Sequence, residues 1–167
     1  AGGWTIQGTN VVGNGPTIVC ERPTAIAIAN DGRLMIAENG RRKQILFYDV
    51  GGSPPKLVRT FGEEGGIEAE VPGAVTPTKF WGLSGTGTDS NGNIYVALNA
   101  EGCMIRSFTP VGVLRWQVMG MHFVDCCDVD PLSDGSIVYG TTEKYRMDLS
   151  KTAPGGEFTL EDYTLDF

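Results

Sequence analysis

Apolar positions along this chain fall in short runs that lack the period of a helix. No stretch of about eleven residues or more carries apolar side chains at i, i+3, i+4 and i+7 without an interrupting glycine or proline. Short runs rich in Val, Ile, Tyr, Phe and Thr instead alternate with turn residues, which predicts an all-β chain. Three segments share one order of turn, glycine and apolar strand. They are Asn30-Asp31-Gly32-Arg33-Leu34-Met35-Ile36-Ala37, Ser90-Asn91-Gly92-Asn93-Ile94-Tyr95-Val96-Ala97 and Ser133-Asp134-Gly135-Ser136-Ile137-Val138-Tyr139-Gly140. Asp-Gly and Asn-Gly are strong hairpin signals, because glycine accepts a positive φ without steric cost.

Each turn follows an apolar or small-residue run, at Thr24 to Ala29, Trp81 to Thr88 and Phe123 to Val129. A third strand is predicted at Gln44 to Asp49, Cys103 to Thr109 and Lys144 to Leu149. A fourth is predicted at Lys56 to Phe61, Val113 to Val118 and Phe158 to Leu165. Four-stranded antiparallel units that repeat in this way predict a β-propeller segment of about three blades, with a β-sandwich of similar hairpins as the alternative. The expected divisions are an outer strand and connection at 1–21, blades at 22–62, 80–119 and 120–167, and an acidic inserted loop at 63–79, all in one domain within a larger propeller. Trp4 to Gln7 is expected as that outer strand, since it looks like Leu114-Arg115-Trp116-Gln117-Val118.

The segments Pro23-Thr24-Ala25-Ile26-Ala27-Ile28-Ala29-Asn30-Asp31-Gly32, Ile45-Leu46-Phe47-Tyr48-Asp49, Leu57-Val58-Arg59-Thr60-Phe61-Gly62 and Asn91-Gly92-Asn93-Ile94-Tyr95-Val96-Ala97 resemble the blade motifs of NHL-type propellers. The resemblance covers roughly residues 22–150 and is loosest in the third unit. It implies a ring, usually of six blades, and places the loops after the second strands on a face that binds proteins, RNA or sugars. Three blades leave two raw faces, so the remaining blades are expected from a longer chain or from a second copy.

Composition narrows the partners. Twenty acidic against thirteen basic side chains give a formal charge of −7, which disfavours a nucleic-acid ligand. No apolar run approaches the ~18 residues of a membrane helix. Glycine, at twenty-four residues, is roughly twice as frequent as usual. The chain starts at Ala1 and has four cysteines without a zinc spacing, Cys20, Cys103, Cys126 and Cys127. An extracellular or periplasmic, secreted protein is expected from these features.

Candidate chemistry is sparse. His122, the single histidine, lies in a connection between units, and no nucleophile motif accompanies it. Adjacent Cys126 and Cys127 either pack as two thiols or close a vicinal disulfide. Likeness to calcium-holding propeller lactonases implies calcium, with Glu38, Asn99 and Asp125 as candidate ligands. The ligand-face candidates are Glu38, Asn39, Arg41, Arg42, Phe80, Trp81, Asn99, Glu101 and His122. Phe80 and Trp81 offer either a platform for a sugar ring or a wedge between blades. A binding or scaffold module for protein or carbohydrate is the leading expectation. A metal-assisted, lactonase-like hydrolase or carbohydrate-active enzyme is the first alternative, and a structural subunit of an extracellular assembly is the second.

Overall fold

Gly32, Gly92 and Gly135 all adopt positive φ, at 85°, 76° and 82°. At the first turn Gly32 N–H donates to Ala29 O at 2.9 Å and Ala29 N–H donates to Arg33 O at 2.8 Å. That pattern is a type I turn closed by a left-handed glycine, the three-residue hairpin loop. Gly92 repeats it around Asp89. The third turn is longer: it accommodates Pro131 and Leu132, and it closes with Asp130 N–H donating to Ile137 O at 3.1 Å and Ile137 N–H donating to Ser133 Oγ at 3.0 Å. The computed structural model describes residues 2–100, 103–120, 128–140, 143–148, 150 and 158–163.

The turns join strands into antiparallel sheets whose order follows the chain. The first sheet has three strands, β1 (Thr5–Gln7), β2 (Asn10–Val12) and β3 (Thr17–Val19). The second runs β4 (Pro23–Ile28), β5 (Leu34–Glu38), β6 (Gln44–Asp49) and β7 (Lys56–Phe61). The third runs β8 (Leu83–Thr88), β9 (Ile94–Asn99), β10 (Cys103–Phe108) and β11 (Leu114–Gly120). The fourth runs β12 (Asp128–Val129), β13 (Ile137–Tyr139), β14 (Glu143–Met147) and β15 (Phe158–Tyr163). The chain is all-β, and its four-stranded sheets are compatible with propeller blades.

Side-chain alternation stacks these sheets face to face. Successive residues of β5 point to opposite faces. Leu34 and Ile36 join Trp4, Val11 and Ile18 of the first sheet. Met35 and Ala37 join Phe80, Leu83, Val96 and Phe108 around the third. On the next interface Tyr95, Cys103, Ile105 and Trp116 meet Val129, Val138 and Met147 of the fourth. The middle strands are therefore covered on both faces, and every residue of β5 is buried. The first strands β4, β8 and β12 lie side by side. Alanines in β4 and glycines in β8 permit that approach, since small residues leave little between neighbouring backbones.

The N-terminal segment differs from its expected form. Residues 5–19 hold three short strands, not one outer strand. Thr5–Gln7 packs beside β4, as β5 packs beside β8, and β3 is the outermost strand. Each of these strands is only three residues long and contributes one inward side chain, Ile6, Val11 or Ile18. Alternation is undetectable over so few positions.

The acidic loop after β7 is tied down. It turns through a single 3-10 turn at Gly66–Glu68. Lys79 is buried and donates to the carbonyls of Ala69 and Val71 at 2.6 and 3.3 Å. Arg106 Nη1 lies 3.1, 2.9 and 3.2 Å from the carbonyl oxygens of Thr76, Pro77 and Lys79. Gly66 is required where it stands, with φ 53° and a virtual Cβ that collides with the Phe80 carbonyl.

Candidate functional site

The β5–β6 loop and the link from β3 to β4 meet around the carboxylate of Glu38. Glu38 ends β5, and its side chain is buried against that link. Its Oε1 accepts the N–H groups of Arg22 and Gly40 at 2.7 and 2.9 Å. Its Oε2 accepts the N–H of Glu21 at 2.9 Å. Three charge-assisted bonds from the main chain satisfy this anion and fix both loops.

A cleft of about 420 Å³ opens beside this knot, lined by Val19, Cys20, Glu21, Glu38, Arg41, Arg42, Leu46, Tyr48 and Leu57. One wall is apolar and the rim is charged. Arg41 Nε lies 3.2 Å from Glu21 Oε1, and the Arg41 N–H donates to Glu21 Oε2 at 3.0 Å. Among the described residues, no carboxylate lies within ion-pair distance of the exposed Arg42 guanidinium. Burial, reinforced by the charge of Glu38 and a hydrogen bond to it, pushes the Cys20 thiol up from 9.0 to about 11; Arg42 opposes that shift. Burial likewise raises the Tyr48 phenol. Both groups are therefore protonated at neutral pH, and a protonated thiol is a poor nucleophile.

The structure gathers Glu38, Arg41 and Arg42, but scatters the other candidates. Asn39 Oδ1 accepts the Leu83 N–H at 3.1 Å and so links the second and third sheets. Phe80 is fully buried, with ring centroids 5.6 Å from Phe61 and 6.1 Å from Phe108. It is a wedge between sheets and offers no surface to a sugar. Trp81 is half-buried, donates from Nε1 to Ala100 O at 3.0 Å, and carries the Arg106 guanidinium 5.1 Å above its ring. Asn99 is exposed at the end of β9, and its Oδ1 faces the Cys103 thiol at 3.5 Å. Glu101, His122, Asp125, Cys126 and Cys127 lie outside the described residues.

Calcium receives no assembled cage from the described candidates. Glu38 spends its carboxylate on three N–H groups, and Asn99 belongs to a different sheet. Among the described residues, no three His, Cys, Asp or Glu side chains converge to hold a metal. Sequence reasoning missed Cys20, Glu21, Tyr48 and Leu57 as cleft residues. They come from three separated segments, and no spacing motif connects them. No helix among the described residues is long and apolar enough to cross a membrane. No protein-family model matches the chain, and no curated protein matches it.

Proposed function

We propose that this chain is a binding module, an NHL-like propeller segment that presents a cleft to a protein or carbohydrate ligand. The observation that carries the reading is the state of the cleft's ionisable groups. Glu38 is consumed by main-chain donors, Cys20 is a neutral thiol, and Tyr48 is a neutral phenol. At the rim Glu21 is paired with Arg41, and the Arg42 guanidinium, with no carboxylate partner among the described residues, is a donor of the kind that recognises anions and hydroxyls without activating them. A concave, mostly preformed cleft with an apolar wall and a few polar groups is the usual form of a recognition site. The ordered repeat of antiparallel sheets, with the Asn/Asp-Gly turns in equivalent places, supports the NHL-like reading.

The test is direct. Immobilised protein is titrated against a glycan array and a panel of short acidic and basic peptides. Saturable binding that the double charge reversal R41E/R42E removes, with an unchanged melting temperature, supports the module. Turnover of lactone or glycoside substrates, with no saturable ligand on either panel, moves the protein to the hydrolase alternative.

A further inference from the structure

The cleft lies against the outer edge of β3, and that edge is chemically unfinished. Among the described residues β3 pairs with β2 alone, in the register Asn10 to Val19, Val11 to Ile18 and Val12 to Thr17. Gly13 N–H donates to Pro16 O and Cys20 N–H donates to Thr9 O. Residues 16, 18 and 20 therefore direct their main-chain groups toward β2. Thr17 and Val19 direct theirs outward, and unpaired edge groups of this kind template an added strand. Val19 is 78% exposed and lines the cleft.

A neighbouring interface shows what the cleft lacks. Tyr48 pairs with Leu57 across β6 and β7, beside a register shift. Phe108 pairs with Leu114 across β10 and β11, also beside a register shift. The two pairs occupy equivalent places in consecutive sheets. Phe108 is fully buried, because Phe61 from the outer strand of the preceding sheet sits on it at 4.9 Å. Among the described residues no aromatic ring covers Tyr48 and Leu57 in this way, and they remain half-buried. β3, the outer strand on their side, is three residues long, whereas β7 has six. It brings Ile18 and Cys20 to this face where β7 brings Phe61.

We propose that the β3 edge and this cleft form a β-augmentation site for an extended segment of a partner protein. The segment adds antiparallel to β3. It lays an aromatic side chain on Tyr48 and Leu57 and places a carboxylate at Arg42. Main-chain bonds at Thr17 and Val19 supply affinity, and the cleft selects alternate side chains. β3 runs toward the end of the sheet that holds Arg42, so in the antiparallel strand the carboxylate precedes the aromatic residue. The charge follows from Arg42, whose guanidinium has no carboxylate partner among the described residues.

The inference rests on the binding-module reading and deepens it. The probe is the synthetic peptide acetyl-TETVTFT-amide, with the lysine-containing acetyl-TKTVTFT-amide as control. Isotope-labelled protein is titrated with each to millimolar concentration and followed by NMR. The acidic peptide should shift the Thr17, Val19, Tyr48 and Leu57 signals saturably, about fivefold more tightly than the control. R42E should invert that preference. Val19→Pro removes the outward N–H, at an edge position that tolerates proline, and should abolish binding. Silence of these signals overturns the proposal, as does binding unaffected by both substitutions. Shifts at Val19 that follow protein concentration alone assign the edge to a second copy and also overturn it. Saturable ligands on the array together with a silent β3 edge defeat this inference and leave the binding-module reading intact.

Discussion

Glu38 shows how one residue can serve architecture from a position that reads as a ligand. A carboxylate at the end of a strand, followed by Asn-Gly and three basic residues, has the appearance of a surface group. It is instead 2% exposed and accepts three N–H bonds. Glu38→Ala strands those donors and should cost roughly 2–4 kcal/mol, read by urea unfolding. A loss below about 0.5 kcal/mol, the level of an ordinary surface change, contradicts the clamp. Cys20 supplies a second test. Its folded pKa lies above the unfolded value, so the folded protein holds this proton more tightly. The associated stability is present below pH 9 and is lost as pH rises toward 11. Iodoacetamide labelling of Cys20, followed by peptide mass spectrometry, should climb with a midpoint near 11. Arg42→Ala removes a lowering influence and should move that midpoint higher. A midpoint near 9 in the unaltered protein is the contrary result.

Among the elements, the hairpins were legible and the loop between β7 and β8 was not. Turn glycines Gly32 and Gly92 and the apolar runs after them marked β5 and β9, which begin at Leu34 and Ile94. The sequence marked this loop only as an acidic insertion. Its anchor is Arg106, a charged residue inside a predicted apolar strand, and its own Glu63 accepts hydroxyl bonds from Thr76 and Thr78 at 2.7 Å each. Those bonds hold the Glu63 carboxyl below its ordinary range. Desolvation lowers Arg106 to about 10, still above neutral pH, so its charge persists. Arg106→Leu should leave the loop carbonyls without their donor. Protease cleavage between Gly62 and Lys79 should then accelerate severalfold at a temperature where the sheets stay folded. Cleavage at the unaltered rate assigns the loop's order to Lys79 and the glycine turns instead.

For the molecule as a whole, stability resides in the interfaces between sheets. Trp4 belongs to the cluster between the first and second sheets, Phe80 to the cluster between the second and third. Deleting either ring opens a cavity and should cost about 3–5 kcal/mol. The clusters share no residue, so the two losses should add to within about 0.5 kcal/mol, provided that unfolding remains two-state. Trp4→Ala should also raise binding of a hydrophobic dye, because Leu34, Ile36 and Leu46 lose their cover. Chemical denaturation of the single and double variants measures the first expectation, and dye fluorescence the second. Strong non-additivity would show that the clusters respond as one core.

Local chemistry in the chain was sufficient for the class of structure. Short β-rich runs and glycine-containing turn signals specify strands and tight turns within a few residues of one another, which is why the three four-stranded units could be read directly. The three short strands before residue 20 escaped that reading, since one inward side chain per strand leaves no period to detect. The cleft escaped it for a different reason. Tyr48 and Leu57 pair within the second sheet, but Val19, Cys20 and Glu21 join them and Glu38 in one cleft only when the first sheet packs on the second. Whether Glu38 clamps loops or faces a ligand, and whether Phe80 is a platform or a wedge, depends on which face each strand turns toward its neighbour. The stacking of the sheets settled both, because burial demands that a carboxylate find donors and that an aromatic ring find apolar walls.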